Sequence, residues 1–305
     1  MQLSTSTNLC AFSGAQGRNP LPFCIETCAA GGYQVLDINL CEAMNPHSRL
    51  RGPDWQRYVE ELAALGVRCG VSFRQSHLPY YDAFNTDDAD KAARMEELIR
   101  RAIIASGMLG VKWAVTHPGT LYQAGPDMSL SRARNLEYFS RHLETARAAG
   151  VGLALENDFE YRSAPYQHIY CSSPYELVDL VDAFGDDAHI GICYDFGHAN
   201  LTGGFHRDNL RIIGRRLRAT HIHDNRGLAD EHMLPFCGNI DWREAMAALA
   251  EIDYQGDLTF EAQQFGRFYP NELKPLVVAH SRRVGQALLA YYQQARAEKE
   301  AAPPV

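Results

Sequence analysis

Residues 131–156, SRARNLEYFSRHLETARAAGVGLALE, combine a helix-like segment that ends at Gly150 with an apolar run, VGLALE, that ends at Glu156. Glycine is the residue that most often follows the last turn of a helix. The run after it is continuously apolar rather than alternating, which is typical of a parallel strand covered on both faces. This stretch therefore predicts a helix followed directly by a buried parallel strand with a carboxylate at its end.

The same alternation of strand and helix extends through the chain in both directions. Helix-like patterns cover residues 55–66, 92–107 and 273–295, among others. The predicted strands are residues 8–13, 34–40, 67–73, 111–116, 151–156, 189–195, 217–223 and 257–262. Eight strands that alternate with helices, with no linker between two halves, predict a single (β/α)8 TIM barrel over residues 1–296. Residues 297–305 are expected to form a flexible C-terminal tail.

An open, doubly wound sheet is the alternative fold. Such a sheet usually carries a glycine-rich turn after its first strand. The segment SGAQGRN at residues 13–19 leads into Pro20 and Pro22 instead of completing a dinucleotide-binding fingerprint. The barrel therefore remains the prediction.

Composition narrows the class of protein. The 305-residue chain carries a net charge of −8, which argues against a nucleic-acid partner because basic residues supply much of the affinity for phosphates. The chain has no apolar run of about 18 residues, the length that a membrane span needs. Its first residues lack the basic and apolar parts of a signal peptide. We expect a soluble cytoplasmic protein without a membrane partner.

Five of the apolar runs end on a carboxylate or an imidazole. These polar ends are His117, Glu156, Asp195, His221 with His223, and Glu261. An unpaired charge in a protein interior is costly unless it is paired or bound to a metal ion. The carboxyl ends of barrel strands meet on one face, where active sites of this fold lie. Because imidazole and carboxylate groups together bind Zn²⁺, Mn²⁺ and related ions, the five ends predict a shared metal site.

Short polar motifs follow one another along the chain after the predicted strands. They are SHLP (His77), THPG (His117), LALEN (Glu156), CYDFGHAN (Asp195, His198), THIHDN (His221), DEH (Asp230, His232) with GNIDW, and TFEAQ (Glu261). In this order they resemble the motifs of the xylose isomerase-like TIM barrel superfamily, which includes sugar phosphate isomerase/epimerase proteins, ketose 3-epimerases and endonuclease IV. The resemblance implies one divalent ion, Mn²⁺, Zn²⁺, Mg²⁺ or Co²⁺, held by Glu156, Asp195, His221 and Glu261.

The other matched residues form an outer set, which consists of His77, His117, His198, Asp230 and His232. In sugar isomerase-like members the resemblance implies that such residues support the metal ligands or bind substrate. In endonuclease IV-like members it implies two more zinc sites, one with Glu156 and the two histidines His77 and His117, and one with the remaining three residues. The candidate substrate-binding residues are His198, Arg226, Trp113 and His223, with Arg267 as a phosphate candidate.

The leading hypothesis is a divalent-metal-dependent isomerase or epimerase of a small sugar, sugar derivative or hydroxy-carbonyl compound. Glu156 and Glu261 would be the catalytic carboxylates that transfer a proton through an enediolate. The alternatives are an endonuclease IV-like phosphodiesterase with up to three Zn²⁺ ions, and a lyase or non-catalytic sugar-binding barrel. The expected partner is a small carbohydrate, and the resemblance is compatible with a homodimer or homotetramer.

Overall fold

Eight parallel strands form a nearly closed barrel in the computed structural model, which describes residues 1–13, 17–123, 125–161 and 167–301. The strands are β1 (Gln2–Ser6), β2 (Val35–Asn39), β3 (Ser72–His77), β4 (Trp113–Thr116), β5 (Gly152–Glu156), β6 (Ile190–Asp195), β7 (Leu217–His221) and β8 (Asp257–Phe260). Their order is β7-β6-β5-β4-β3-β2-β1-β8. Ile222, just after β7, donates a 2.8 Å hydrogen bond to the carbonyl of Thr259 in β8, which joins the two ends of the sheet. The predicted (β/α)8 barrel is confirmed.

Helices surround the barrel. Within the ranges given above, the α-helices are α1 (Leu21–Ala30), α2 (Trp55–Cys69), α3 (Ala89–Met108), α4 (Met128–Ala149), α5 (Pro174–Asp182), α6 (Phe196–Thr202), α7 (His206–Ile213), α8 (Trp242–Glu251), α9 (Gln263–Arg267) and α10 (Lys274–Ala301). The short helices α6 and α9 follow β6 and β8 at the carboxyl face of the barrel. None of the helices in these ranges has the length and apolar character that crossing a bilayer requires.

The first strand lies earlier in the chain than the sequence predicts. The apolar run at residues 8–13 begins inside a 3-10 helix over Thr7–Cys10, so its prediction as a strand is wrong. β1 instead uses the preceding polar segment, in which Ser4, Thr5 and Ser6 are buried. Small hydroxyl side chains carry no apolar signal in a sequence, although they pack well inside a narrow barrel.

The third strand is also shifted, because α2 is longer than its pattern suggests. The helix continues past Gly66 to Cys69, and Gly70 ends it in the left-handed conformation at φ 68°. Gly66 lies within the helix, where a Cβ atom would come within 2.9 Å of the Phe73 ring. The first glycine therefore serves close packing and the second serves the helix end, and β3 begins only at Ser72.

The C-terminal helix α10 extends to Ala301, so residues 297–301 of the predicted tail are helical. Residues 302–305 lie outside the described part of the chain.

Candidate metal centre

Four acidic and imidazole side chains meet at the carboxyl ends of the last four strands. Glu156, Asp195 and His221 are the final residues of β5, β6 and β7, and Glu261 follows β8 directly. The first three are completely buried, and Glu261 is 6% exposed. One potential ligand atom from each of the four lies within 4.8 Å of the others. The structure therefore brings together the quartet that the sequence resemblance implies.

The imidazole of His221 lies at the centre of this quartet. Its Nδ1 atom is 2.8 Å from Oε1 of Glu156, 3.4 Å from Oε2 of Glu261 and 3.9 Å from Oδ2 of Asp195. Three carboxylates thus face one ring nitrogen. Carboxylates whose oxygens lie within 4.8 Å of one another repel each other unless a positive charge lies between them.

Two carboxylate oxygens of the quartet have no hydrogen-bond partner in the part of the chain that the structure describes. They are Oε2 of Glu156 and Oδ2 of Asp195, and both are buried. The other oxygen of Asp195 accepts a 2.7 Å hydrogen bond from the backbone N–H of His198 at the start of α6. A buried oxygen without a donor is costly, and a bound cation is one way to satisfy it. The donor set of three carboxylates and one imidazole fits a divalent ion such as Mn²⁺, Zn²⁺ or Mg²⁺.

Asp37 lies behind His221 and was not anticipated from the sequence. It is the central residue of β2, is completely buried, and places Oδ2 3.5 Å from Nε2 of His221. Imidazoles that bind a metal through one nitrogen commonly face a carboxylate with the other, which orients the ring. The available signal was an acidic residue between the apolar neighbours Leu36 and Ile38 in the strand VLDIN.

A second group shares Glu156 with the quartet. His77, at the end of β3, and His117, just after β4, place their Nε2 atoms 3.2 Å apart. These atoms lie 3.6 Å and 3.5 Å from Oε2 of Glu156, respectively. Glu156 therefore presents one oxygen to His221 and the other to this histidine pair.

A third group lies on the side of β6 and β7 and contains His198, His223, Asp230 and His232. Nε2 of His232 is 2.7 Å from Oδ2 of Asp230, and Nε2 of His198 is 3.9 Å from the same oxygen. Nε2 of His223 lies 3.0 Å from Oδ1 of Asp195. His232 has φ 42°, a conformation that non-glycine residues rarely adopt and that costs backbone energy.

Three histidines of the outer set are held in one tautomer by the backbone. Nδ1 of His77 donates to the carbonyl of Leu78 at 3.0 Å. Nδ1 of His198 donates to the carbonyl of Asn157, and Nδ1 of His232 donates to the carbonyl of Glu261, each at 2.9 Å. A neutral ring that donates through Nδ1 carries its lone pair on Nε2. In all three, Nε2 is the atom that faces the carboxylates, so it is available as a metal ligand when the ring is neutral and as a hydrogen-bond donor when the ring is charged.

The buried charges shift the pKa values of these groups in opposite directions. Burial lowers the pKa of His117 to about 4. Burial also acts against the charged form of His198, but the carboxylates of Asp195 and Glu156 outweigh it and raise the pKa of His198 to about 9. The pKa of Glu156 stays well below its usual range despite burial, because His221 and His117 face it. The Glu156 carboxylate is therefore ionised at neutral pH and available as a ligand.

A cavity of about 940 Å³ opens over these groups. His77, His117, His198, Asp230, His232 and Glu261 line it, together with Phe12, Tyr80, Tyr81, Phe84, Phe159 and Tyr161 from the loops after the strands. Tyr80, Tyr81 and Phe84 belong to the segment LPYYDAFN, residues 78–85, which follows β3. Ligand pockets of about 300–1,000 Å³ are typical of small-molecule sites.

Three predicted substrate-binding residues lie away from this cavity. Trp113 is the first residue of β4 and packs with the small side chains inside the amino-terminal end of the barrel. Arg226 points outward and forms a 2.8 Å ion pair with Glu231. His223 is completely buried and reaches Asp195 rather than the cavity. Of the four candidates, His198 alone lines the cavity among the residues described.

Known proteins share the sequence of this chain to different extents. An uncharacterised protein, y4fM, of Sinorhizobium fredii is 46% identical over 242 residues, which cover 76% of this chain and 68% of that protein. The uncharacterised protein MJ1311 of Methanocaldococcus jannaschii is 30% identical, and the match spans 61% of this chain and 62% of that protein. An L-ribulose 3-epimerase of Methylomonas sp. is 26% identical over 77% of this chain and 75% of its own length. A probable endonuclease 4 of Acholeplasma laidlawii is 21% identical over 52% of each chain.

Solved structures share the fold along nearly the whole chain. A D-tagatose 3-epimerase-like protein superposes with a TM-score of 0.74 at 21% identity, covering 96% of this chain and 99% of that one. The IOLI protein, solved with a bound zinc atom, gives a TM-score of 0.73 at 17% identity over 96% of this chain and 99% of its own. At the level of sequence families, residues 25–279 match the description "Xylose isomerase-like TIM barrel". Since this match covers most of the chain, the protein belongs to the xylose isomerase-like TIM barrel family.

Proposed function

We propose that this protein is a divalent-metal-dependent isomerase or epimerase of a small polyhydroxylated carbonyl compound. The observation that carries the proposal is the pair Glu156 and Glu261, which approach Nδ1 of His221 from β5 and β8 at 2.8 Å and 3.4 Å. Isomerisation and epimerisation both need a base that removes a proton from carbon and an acid that returns it. Two carboxylates around one polar centre supply both groups. The similarity to L-ribulose 3-epimerase along three quarters of the chain supports the same reaction class.

The residues of the site divide this chemistry between them. Glu156, Asp195, His221 and Glu261 are the proposed ligands of the ion. The chemistry that a bound divalent ion supplies at such a quartet is Lewis-acid stabilisation of negative charge on a neighbouring substrate oxygen. Glu261 lines the cavity, so its carboxylate can reach a carbon-bound proton of the substrate. Glu156, which faces the same Nδ1 atom of His221, is the second proposed acid/base group.

Histidines at the cavity wall would position the substrate. The pKa values of His198 and His232 are raised to about 9 and about 10, so both rings are charged at neutral pH and can donate hydrogen bonds from Nε2 to sugar oxygens. Because the backbone carbonyls of Asn157 and Glu261 hold these rings, little rotational freedom is lost when a sugar binds. Such pre-organisation favours a defined orientation of the reacting carbon.

Isotope exchange tests this proposal directly. The metal-loaded protein, incubated in D2O with ketopentoses and ketohexoses, should introduce deuterium at a carbon next to the carbonyl. Glu261→Gln and Glu156→Gln should lower the exchange rate by at least about 100-fold, the lower range for loss of general acid–base catalysis. Glu60→Gln, an exposed substitution on α2, is the matched control and should exchange at the wild-type rate. Full exchange in both active-site variants would refute the assignment.

Phosphodiester hydrolysis is a second candidate, and the grouping of the outer histidines favours it. Glu156 joins the quartet to His77 and His117, while His198, Asp230 and His232 form a further group with His223. Hydrolases that act on phosphodiesters commonly place two or more metal ions close together. The similarity to a probable endonuclease 4 points in the same direction, whereas the net charge of −8 opposes binding to DNA.

Metal content separates the two candidates. The metal content of protein purified without added metal is measured by inductively coupled plasma mass spectrometry. The same sample is assayed for cleavage of duplex DNA that contains an abasic site. About three zinc ions per chain together with cleavage would support the hydrolase. One ion per chain, with deuterium exchange and without cleavage, would support the isomerase or epimerase.

A further inference from the structure

Two arginines line the cavity. Arg18 lies in the loop after β1, and Arg267 is the last residue of α9, after β8. Among the residues that the structure describes, no carboxylate oxygen lies within 4.0 Å of either guanidinium, which is the limit for an ion pair. Arginines elsewhere on the surface, such as Arg132 and Arg216, pair with aspartates. Burial raises the pKa of Glu42, and the positive charge of Arg18 acts against this rise. The Glu42 carboxylate accepts its hydrogen bond from Ser48 and not from Arg18.

The ring of Phe12 holds both guanidinium groups. The central guanidinium carbon lies 5.4 Å from the ring centroid for Arg18 and 4.8 Å for Arg267. Stacking of this kind fixes the plane of an arginine and does not use its N–H donors. Arg267 donates one 3.4 Å hydrogen bond from Nη1 to Oε1 of Gln264, and its other N–H groups can face a ligand. Phe12 and Arg18 are also joined by an antiparallel backbone bridge, which fixes the base of the Arg18 side chain.

The loops that carry the two arginines are tied together. Asn19, next to Arg18, and Asn271, four residues after Arg267, exchange reciprocal amide hydrogen bonds of 2.8 Å and 3.0 Å. Asn19 also donates a 2.8 Å hydrogen bond to the carbonyl of Cys10. Because β1 and β8 are neighbours in the barrel, this link holds both loops over the same side of the cavity.

The charge around the cavity indicates what the two arginines would bind. Glu261 of the quartet and Asp230 line the cavity, and the chain as a whole is acidic. Two arginines without an acidic partner among the described residues are therefore a local exception at this wall. The planar fork of an arginine matches the oxygens of a phosphate or a carboxylate. The cavity volume of about 940 Å³ leaves room for such a group beyond the part of a sugar that reaches Glu261.

We propose that Arg18 and Arg267 form a subsite for an anionic group, a phosphate monoester or a carboxylate, at the end of the substrate remote from the carbon that exchanges its proton. The substrate class is accordingly a sugar phosphate or a sugar acid. This assignment rests on the proposed isomerase or epimerase function for its substrate, although binding of the anion itself needs no proton transfer.

Calorimetric titration of the metal-loaded protein tests the subsite. The probes are D-fructose, D-fructose 6-phosphate and D-glucuronate, which distinguish a neutral sugar, a phosphate monoester and a carboxylate. At least one anionic probe should bind ten-fold or more tightly than D-fructose. Arg18→Gln and Arg267→Gln should each weaken that binding by about ten-fold or more, as expected for hydrogen bonds to a charged group, and leave D-fructose unchanged. Arg68→Gln, an exposed substitution near the end of α2, is the control and should behave as the wild type.

The outcomes separate the subsite from the reaction. Equal affinity for neutral and anionic probes would overturn the subsite. So would an anion preference that persists in the double variant that combines Arg18→Gln with Arg267→Gln. If the double variant unfolds at the same temperature as Arg68→Gln, a lost preference reports the subsite and not misfolding. An arginine-dependent preference without deuterium exchange on any probe would leave the subsite standing and refute the proposed function. Exchange on D-fructose without an anion preference would support the proposed function and refute the subsite.

Discussion

Asp37 provides the sharpest test of the arrangement around His221. Asp37→Asn preserves the shape of the side chain and removes its negative charge. Both side chains are completely buried, and the two nearest atoms are 3.5 Å apart. Loss of a carboxylate behind a ligating imidazole typically weakens metal binding by about 10–100-fold. We therefore expect the dissociation constant for Mn²⁺ or Zn²⁺ to rise by that factor, which corresponds to about 1.4–2.7 kcal/mol.

The metal dependence of the effect distinguishes orientation of the ring from ordinary packing. A bound ligand stabilises the folded protein in proportion to the logarithm of its affinity. Weaker metal binding therefore lowers the unfolding temperature mainly when metal is present. Among the described residues no donor makes a hydrogen bond to either oxygen of Asp37, so the change leaves no N–H or O–H group without its acceptor. A residue that served packing alone would instead cause the same loss with and without metal.

Two measurements check this expectation. Competition against a chelator of known affinity gives the dissociation constant, and thermal unfolding with and without metal gives the change in stability. Asp208→Asn, an exposed substitution on α7, is the matched control and should leave both quantities unchanged. An unaltered metal affinity in Asp37→Asn, or a loss of stability that is independent of metal, would refute the role assigned to Asp37.

Three further substitutions probe the surroundings of the site. Gly197→Ala would place its Cβ 1.9 Å from Cε1 of His223, so we expect a loss of about 1–3 kcal/mol in unfolding free energy and a displaced imidazole, measurable by denaturant unfolding and metal content. Asp224→Ala would leave the backbone N–H of Phe236 and the indole N–H of Trp242 without their acceptor, and should cost about 2–4 kcal/mol in the same assay. Burial lowers the pKa of His206 to about 4, below the 6.5 of an unburied histidine. The unfolded chain therefore binds more protons between these values, stability falls as pH drops from about 6.5 to about 4, and His206→Gln should flatten this part of the unfolding profile.

The barrel could be predicted because its strands and helices leave strong and regular patterns. The continuous apolar run before Glu156 and the glycine at 150 mark one strand and one helix end without ambiguity. The error at β1 has the opposite cause, since Ser4 and Thr5 are buried inside the barrel without being apolar. Hydropathy detects the side chains that water expels, but it does not detect small polar side chains that a barrel encloses.

The quartet could be predicted because each of its members ends a strand or follows one directly. Asp37 was missed because it lies in the middle of β2 and becomes a partner of His221 only through the closure of the barrel. The backbone carbonyls that hold His77 and His198 belong to Leu78 and Asn157, and their directions follow from loop geometry that a sequence pattern does not contain. Chemistry that depends on residue type was therefore visible in the sequence, whereas chemistry that depends on orientation was not.

Glu156 is the residue at which the two candidate functions diverge. One of its oxygens faces His221, and the other faces His77 and His117. For a single ion in the quartet, the histidine pair serves the substrate, so His117→Ala should leave the metal content unchanged and weaken substrate binding. For a multinuclear hydrolase, the pair holds its own ion, and the same substitution should remove one metal per chain while the quartet stays filled. Because His117 touches Glu156 without belonging to the quartet, its replacement separates these arrangements more cleanly than replacement of Glu156, which would disturb both groups at once.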